Sequence, residues 1–249
     1  MIILKSPREI EALRRAGGFV GRFFEEVKPL IRAGSTTMDL EECAAAYLER
    51  QGVKGAFKGY MGYPANLCTS VNERVVHGIP SRKQVLHEGD LISIDFGVMA
   101  NGFCGDSAKT FPVGKIAEVH ARLISVTEAS LHKGIEACRV GNRLGDMSHA
   151  IQEFVEAAGF SVVRDFVGHG IGRKMHEEPQ VPNFGTPGTG PKFVAGMVLA
   201  IEPMVNEGSW GVEVLADGWT VMTRDRKRSA HFEHVVAITP EGPEILTLP

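Results

Sequence analysis

A shift of 107 residues brings this chain into register with itself. Under that shift Arg32 falls on Arg139, Gly34 on Gly141, Asp39 on Asp146, Glu49 on Glu156 and Gly52 on Gly159. Gly89 falls on Gly196, Ile94 on Ile201, and the acid Asp95 on the acid Glu202. The matched positions are caps, links and a strand acid, which is the pattern a duplicated supersecondary unit leaves behind. The local signals agree. Ser6-Pro7-Arg8-Glu9 is a capping box with proline at the first helical position, followed by Ile10, Leu13, Val20, Phe23, Phe24 and Val27 on a helical period. A second helix begins near Thr37, carries Asp39, Glu41 and Glu42 in its first turn, and stops at Gly52. Helices over Ala117–Cys138 and Leu144–Ala158, the latter stopped by Gly159, repeat the plan. The expected architecture is α/β: two pseudo-related halves, roughly 1–115 and 116–249, with helices covering a sheet. No Pro/Gly/Ser-rich linker parts them, so one domain is expected, with a cleft where Asp95 and Glu202 meet across the pseudo-axis.

Charged residues inside strand-like runs carry the chemical information. Leu91-Ile92-Ser93-Ile94-Asp95-Phe96 is apolar and β-branched except at Ser93 and Asp95, the run Val198 to Val205 is interrupted only by Glu202, and Glu233 stands before the buried-looking strand His234 to Ile238. An unpaired carboxylate in a core costs several kcal/mol, so strands that accept one imply a shared compensating cation. Asp106 joins through hairpin parity. With Asn101-Gly102 as the turn, Asp95 faces Ala108 and shares a face with Asp106; with the turn one residue earlier, Asp95 lies opposite Asp106. Either register sets two carboxylates on one face, where they repel unless a metal lies between them. His169, in Gly168-His169-Gly170-Ile171-Gly172, adds an imidazole whose glycine neighbours allow close approach or unusual dihedrals. Four carboxylates and one histidine suit a pair of divalent ions such as Mn, Fe, Co or Zn better than a thiolate-rich structural zinc site.

Several classes are excluded. With 27 Lys+Arg against 30 Asp+Glu the net charge is −3, which offers no footprint for nucleic acid. The one basic cluster, Arg224-Asp225-Arg226-Lys227-Arg228, reads as a solvated turn. No apolar run approaches the ~18 residues of a membrane span, and Met1-Ile2-Ile3-Leu4-Lys5 does not read as a signal peptide. Cys43, Cys68, Cys104 and Cys138 are widely spaced without a C-x-x-C, which fits a reducing cytoplasm. The glycines around His169 lack dinucleotide spacing and a Walker lysine, and no G-x-S-x-G elbow occurs.

Asp95, Asp106, His169, Glu202 and Glu233 resemble, in order and context, the dimetal ligands of the methionine aminopeptidase family with its pita-bread fold. Supporting strings are Val71-Asn72-Glu73-Arg74-Val75-Val76-His77-Gly78-Ile79-Pro80, Asp95-Phe96-Gly97, Ile201-Glu202-Pro203 and Phe232-Glu233-His234. The resemblance implies a fold of two pseudo-symmetric halves with helices over an antiparallel-rich curved sheet. The 31-residue spacing of Glu202 and Glu233 leaves no room for the type II helical insertion, and the short segment before the first helix implies a minimal, bacterial-like type I form without a zinc-finger extension. By resemblance, Asp95 would hold one metal and His169 the other, with Asp106 and Glu233 bridging. Glu202 would bind metal and handle the proton of the attacking hydroxide. His77 and His176 would contact the scissile amide, at its nitrogen and its carbonyl oxygen respectively. Tyr60, Tyr63, Cys68 and Trp219 match positions lining the methionine pocket, and Phe57 and Met175 are expected to join them. His231, two before Glu233 and so on its face in a strand, stands where relatives carry Gln and is expected to support the ligands. The implied activity is cytosolic removal of initiator methionine from nascent chains whose second residue is small, by a monomer, with the ribosome a further candidate partner and neither nucleic acid nor membrane engaged. The rivals are an Xaa-Pro aminopeptidase or prolidase of the same fold, a catalytically dead relative that only binds, and a purely structural α/β module.

Overall fold

A computed structural model describes residues 1–249. Helix α1 spans Pro7–Val27: the Ser6 hydroxyl accepts the Glu9 amide and the Glu9 carboxylate accepts the Ser6 amide (3.0 Å), which closes the capping box. Helix α2, Thr37–Gln51, starts on the same device built from Thr36 and Asp39 and ends at Gly52 in the left-handed region (φ 64°). Helices α3, Glu118–Ala137, and α4, Leu144–Ala157, follow in the second half.

The 107-residue shift recurs in individual hydrogen bonds. Gly34 N donates to Leu86 O (2.9 Å), and Gly141 N to Phe193 O (3.1 Å). Leu86 N donates to Ser35 O, and Phe193 N to Asn142 O, both at 2.8 Å. The Asp39 carboxylate accepts the Thr36 amide and that of Asp146 accepts the Arg143 amide, both at 2.7 Å. Gly89 and Gly196 share φ 93°.

In the first half a long hairpin, Leu91–Ala100 with Phe103–Pro112, is flanked by Leu67–Val71 and by Lys54–Gly55. Its turn is Asn101-Gly102, with φ 50° and 79°, the all-positive geometry that such a dipeptide favours. The second half carries a five-stranded antiparallel sheet in the order Gly242–Ile245, His234–Thr239, Val198–Ile201, Gly168–Gly170, Glu177–Val181. The antiparallel pairing and covering helices are those expected of the fold class. No helix is long and apolar enough to cross a membrane.

Two strand expectations are corrected. The run Val198 to Val205 is two strands in different sheets, Val198–Ile201 and Met204–Asn206. Pro203 has no N–H to continue the ladder, so the chain leaves one sheet at Glu202-Pro203. The run from His231 likewise splits into Ser229–His231 and His234–Thr239, with Phe232-Glu233 between. The two breaks are neighbours, because Ile201 pairs with His234 and Met204 with His231. Glu202 and Glu233 thus lie where two paired segments switch sheets together, and the Phe103–Pro112 strand is stitched to that point. Glu233 N donates to Ala108 O (2.9 Å), Ser107 Oγ donates to Glu233 O, and Thr110 Oγ1 donates to His231 O (2.9 Å) while accepting His231 N (2.8 Å).

One core lies beneath α1 and α2, centred on Phe23, Tyr47 and Phe96, and the other beneath α3 and α4. Phe23 is fully buried, with ring centroids 4.0 Å from Phe96 and 5.5 Å from Tyr47. Phe23→Ala is expected to lower unfolding stability by about 3–5 kcal/mol, read by urea titration.

Candidate metal centre

The observed hairpin register pairs Asp95 with Ala108 and Gly97 with Asp106, so the two acids are diagonal neighbours on one face. His169 comes from the second-half sheet, within the strand Gly168–Gly170. A Cβ at Gly168 would stand 2.3 Å from Ala200 O, and one at Gly170 would stand 2.2 Å from Glu178 O. Close backbone approach, rather than a positive φ, is therefore what these two glycines permit.

Ligand atoms of Asp106, His169 and Glu233 lie within 4.8 Å of one another, and all three residues are buried. Glu202 adds Oε1 at 3.6 Å from His169 Nε2, while Asp106 Oδ2 stands 3.8 Å from the same nitrogen. His169 Nδ1 is 2.9 Å from the Gly170 carbonyl oxygen, which can only accept. Nδ1 therefore carries the proton, and in the neutral ring Nε2 turns a lone pair toward the acids. The ring is neutral because burial pushes its pKa down to about 4. A lone pair facing carboxylates repels them unless a cation stands between.

The acids make the same demand. Asp95 Oδ1, Asp106 Oδ1 and Glu233 Oε1 are buried without a hydrogen-bond partner. Asp106 and Glu202 have only histidines as ion-pair partners, Asp95 and Glu233 have none, and no arginine or lysine pairs with any of the four. Burial pushes the Asp95 carboxyl up to about 7. It also raises Asp106, Glu202 and Glu233, with neighbouring acids adding to the shift: Glu233 and Asp95 beside Asp106, Asp106 and Asp95 beside Glu202, Glu202 and Asp95 beside Glu233. Unpaired oxygens, clustered acids and an inward nitrogen lone pair form a donor set that fits divalent cations.

A cavity of about 210 Å³ opens on these donors and is walled by Phe57, Tyr60, Met61, Tyr63, Cys68, His77, His176 and Trp219. Tyr63 spends its hydroxyl on Leu67 O (3.2 Å) and Gly78 O (3.0 Å), so it offers the cavity its ring, with Trp219 edge-on at 5.1 Å. Burial pushes the Cys68 thiol well up, leaving it a neutral, polarisable wall. His77 has φ 59°, a costly conformation for a non-glycine residue; its ring packs edge-on against Phe166 (5.8 Å) and Trp219 (6.3 Å). His176 stacks on Tyr60 with its Nδ1 2.9 Å from the phenol oxygen, and its ring centroid lies 4.2 Å from that of His169.

Three details depart from the sequence reading. Met175 is not among the cavity walls: it is buried behind them, and a Cβ at Gly97 would meet both Phe57 (2.6 Å) and Met175 (2.9 Å). Met61 lines the cavity and was not foreseen; its flanking glycines, Gly59 and Gly62, both at positive φ, were the available signal. His231 does not share a strand with Glu233, yet it faces the site from the end of Ser229–His231, with a buried, unpartnered Nε2 3.8 Å from Glu202 Oε2.

Fold and donor set together define a metallopeptidase, and comparison with known proteins agrees. The model of "Metallopeptidase family M24" matches residues 11–240. A methionine aminopeptidase of Clostridium perfringens is 57% identical over 248 residues, covering 100% of this chain and 99% of the relative. The crystal structure of methionine aminopeptidase from Thermotoga maritima superposes with a TM-score of 0.98 at 50% identity, with 100% of both chains covered. The prolidase of Pyrococcus furiosus shares the fold alone, with a TM-score of 0.79 at 21% identity, covering 99% of this chain and 66% of that one. The chain belongs to metallopeptidase family M24, in its methionine aminopeptidase branch.

Proposed function

We propose that this protein removes the N-terminal methionine from polypeptides whose second residue is small, using two divalent ions held by Asp95, Asp106, His169, Glu202 and Glu233. The observation that carries the reading is the His169 Nε2 lone pair turned toward carboxylates that have no cation of their own. Asp95 would hold one ion and His169 the other, with Asp106 and Glu233 between them. Bound there, the ions would supply a nucleophilic water at neutral pH and polarise the scissile carbonyl.

The chain's own residues do the rest. Glu202, at the rim of the nest, takes the proton of the attacking water. Tyr60 Oη lies 2.9 Å from His176 Nδ1, and in the tautomer where the phenol donates, Nε2–H of the neutral ring is left to donate to the substrate carbonyl oxygen. Glu202 then gives the water's proton to the peptide nitrogen, which departs as an amine, while His77, neutral because burial pushes its pKa down to about 4, accepts the hydrogen bond of that nitrogen's N–H. The aromatic and thiol walls of Tyr60, Tyr63, Cys68, Trp219 and Phe57 suit a thioether, each such contact contributing about 0.3–1.5 kcal/mol. Four free cysteines accord with the reducing compartment in which nascent chains are met.

The test is to strip the protein with chelator, restore Mn, Co, Fe or Zn separately, and offer Met-Ala-Ser, Met-Leu-Ser, Ala-Pro and Met-Pro-extended peptides. Methionine release from Met-Ala-Ser is expected only after metal is restored, with Met-Leu-Ser cut far more slowly. Reconstituted protein that leaves Met-Ala-Ser whole but opens an Xaa-Pro bond would show the assignment to be wrong.

A further inference from the structure

A second charged cluster lies beside the metal nest and takes no part in it. Lys5 and Glu177 form an ion pair with side-chain exposures of 5% and 6%, Nζ to Oε2 2.5 Å. Lys5 Nζ also donates to Ile3 O (2.9 Å), and its backbone N donates to Gly196 O (2.7 Å). Glu177 Oε1 accepts the Lys174 amide (3.2 Å), so the one carboxylate closes the loop from Gly172 to Glu177 on itself and ties it to the segment before α1. Gly172 completes the packing: a Cβ there would come within 2.6 Å of both Lys5 Cε and Glu177 Oε1. A buried ion pair gains little net stability over apolar residues of similar size, so its presence asks for another explanation.

The loop it fastens carries His176. That ring is held on one side by Tyr60 and stands against His169 on the other, and its backbone leads directly into Glu177, which opens the strand Glu177–Val181 opposite Gly170. His169, His176, Lys5 and Glu177 also line one larger cavity of about 690 Å³, on whose side the loop is tied to α1 only by the exposed pair of Arg173 and Glu9 (3.4 Å). We infer that the buried Lys5–Glu177 pair is a positioning device that holds the Gly172–Glu177 loop so that His176 meets the substrate carbonyl. This rests on the role proposed for His176. Small displacements of such a group are costly: about 1 Å can lower a rate 100-fold.

The test uses the manganese-loaded enzyme and Met-Ala-Ser. Removing one partner strands a buried charge and can cost the fold. The primary variant is therefore Lys5→Met with Glu177→Met, which buries no charge, checked by thermal melt. It is expected to stay folded and to lose about 10-fold to 100-fold in kcat, with KM within about twofold. In a His176→Gln background the same pair of changes is expected to alter kcat by less than about twofold, because the group being positioned is gone. A folded pair variant with parental kcat, beside a slowed His176→Gln, overturns this inference and leaves the proposed reaction standing. A loss of the same size in the His176→Gln background also overturns it, since the pair then acts on the fold at large. Parental turnover by His176→Gln alone removes His176 from the mechanism, and this inference with it.

Discussion

Glu202→Gln is expected to lose about 10²–10⁴-fold in kcat while its melting profile stays close to that of the parent. The carboxylate sits in the break between Ile201 and Pro203, where its backbone carbonyl accepts Asn183 Nδ2 (3.0 Å), so the position is held by the main chain. Glutamine keeps the size and one oxygen for a cation, but its amide cannot take a proton from water at neutral pH. A residue acting in the transition state lowers kcat and kcat/KM together, so KM for Met-Ala-Ser should move little. The measurement is steady-state hydrolysis at saturating manganese, with bound metal determined on the same samples. A variant that binds metal as the parent does and turns over at near-parental rate would remove Glu202 from proton transfer.

The helices and the metal nest were legible in the sequence for local reasons. Ser6 with Glu9, Thr37, Gly52 and Gly159 mark helix ends through a few residues of chain, and the structure keeps each within a residue of its reading. Asp95 stands out because a charge in an apolar run is locally anomalous. Hairpin parity placed Asp106 on the same face in either register, and the structure chose the Asn101-Gly102 turn. What failed was continuity. The run through Glu202 read as a single strand, although Pro203 already forbade it, and His231 read as sharing a strand with Glu233. Those breaks bring the acids to the sheet junction, which no period-two pattern encodes.

The cavity walls were legible only through family likeness, because Tyr63 or Trp219 looks the same in a sequence whether it fills a core or lines a pocket. Met175 and Met61 show the cost: both are methionines near the site, one buried behind Phe57 and the other exposed on the cavity rim. The left-handed backbone of His77 leaves no trace in residue type either. Lys5 and Glu177, joined across 172 positions, share no local pattern at all.

Asp106→Asn should move stability in opposite directions with and without metal. In the metal-free protein Asp106 is buried against Glu233 and Asp95 with Oδ1 unpartnered, so an isosteric amide removes a repelling charge. A gain of about 1–3 kcal/mol is expected near neutral pH. The sign of the pH dependence follows from the same shifts. A carboxyl whose folded pKa lies above its unfolded value binds protons more tightly in the native state, so its own contribution to stability is greatest at low pH and declines as pH rises from about 4 through the folded pKa. For Asp95 that window closes at about 7, and for the other acids the direction is the same. Each such carboxyl steepens the decline by up to about 1.4 kcal/mol per pH unit, and Asp106→Asn should flatten it. Added metal reverses the ranking. At 1,000 times its dissociation constant a ligand stabilises the native state by about 4.1 kcal/mol, and a variant lacking the central oxygen forfeits most of that along with turnover. Urea titrations at about pH 5 and about pH 7.5, with chelator and with manganese, read all four corners. Buried His77, His169, His231 and His234, whose pKa values are pushed down to about 3–4, contribute the opposite slope in parent and variant alike, so the comparison between the two carries the test. If Asp106→Asn without metal is the weaker protein, or declines with pH no less than the parent does, the four acids are already satisfied within the chain and need no cation.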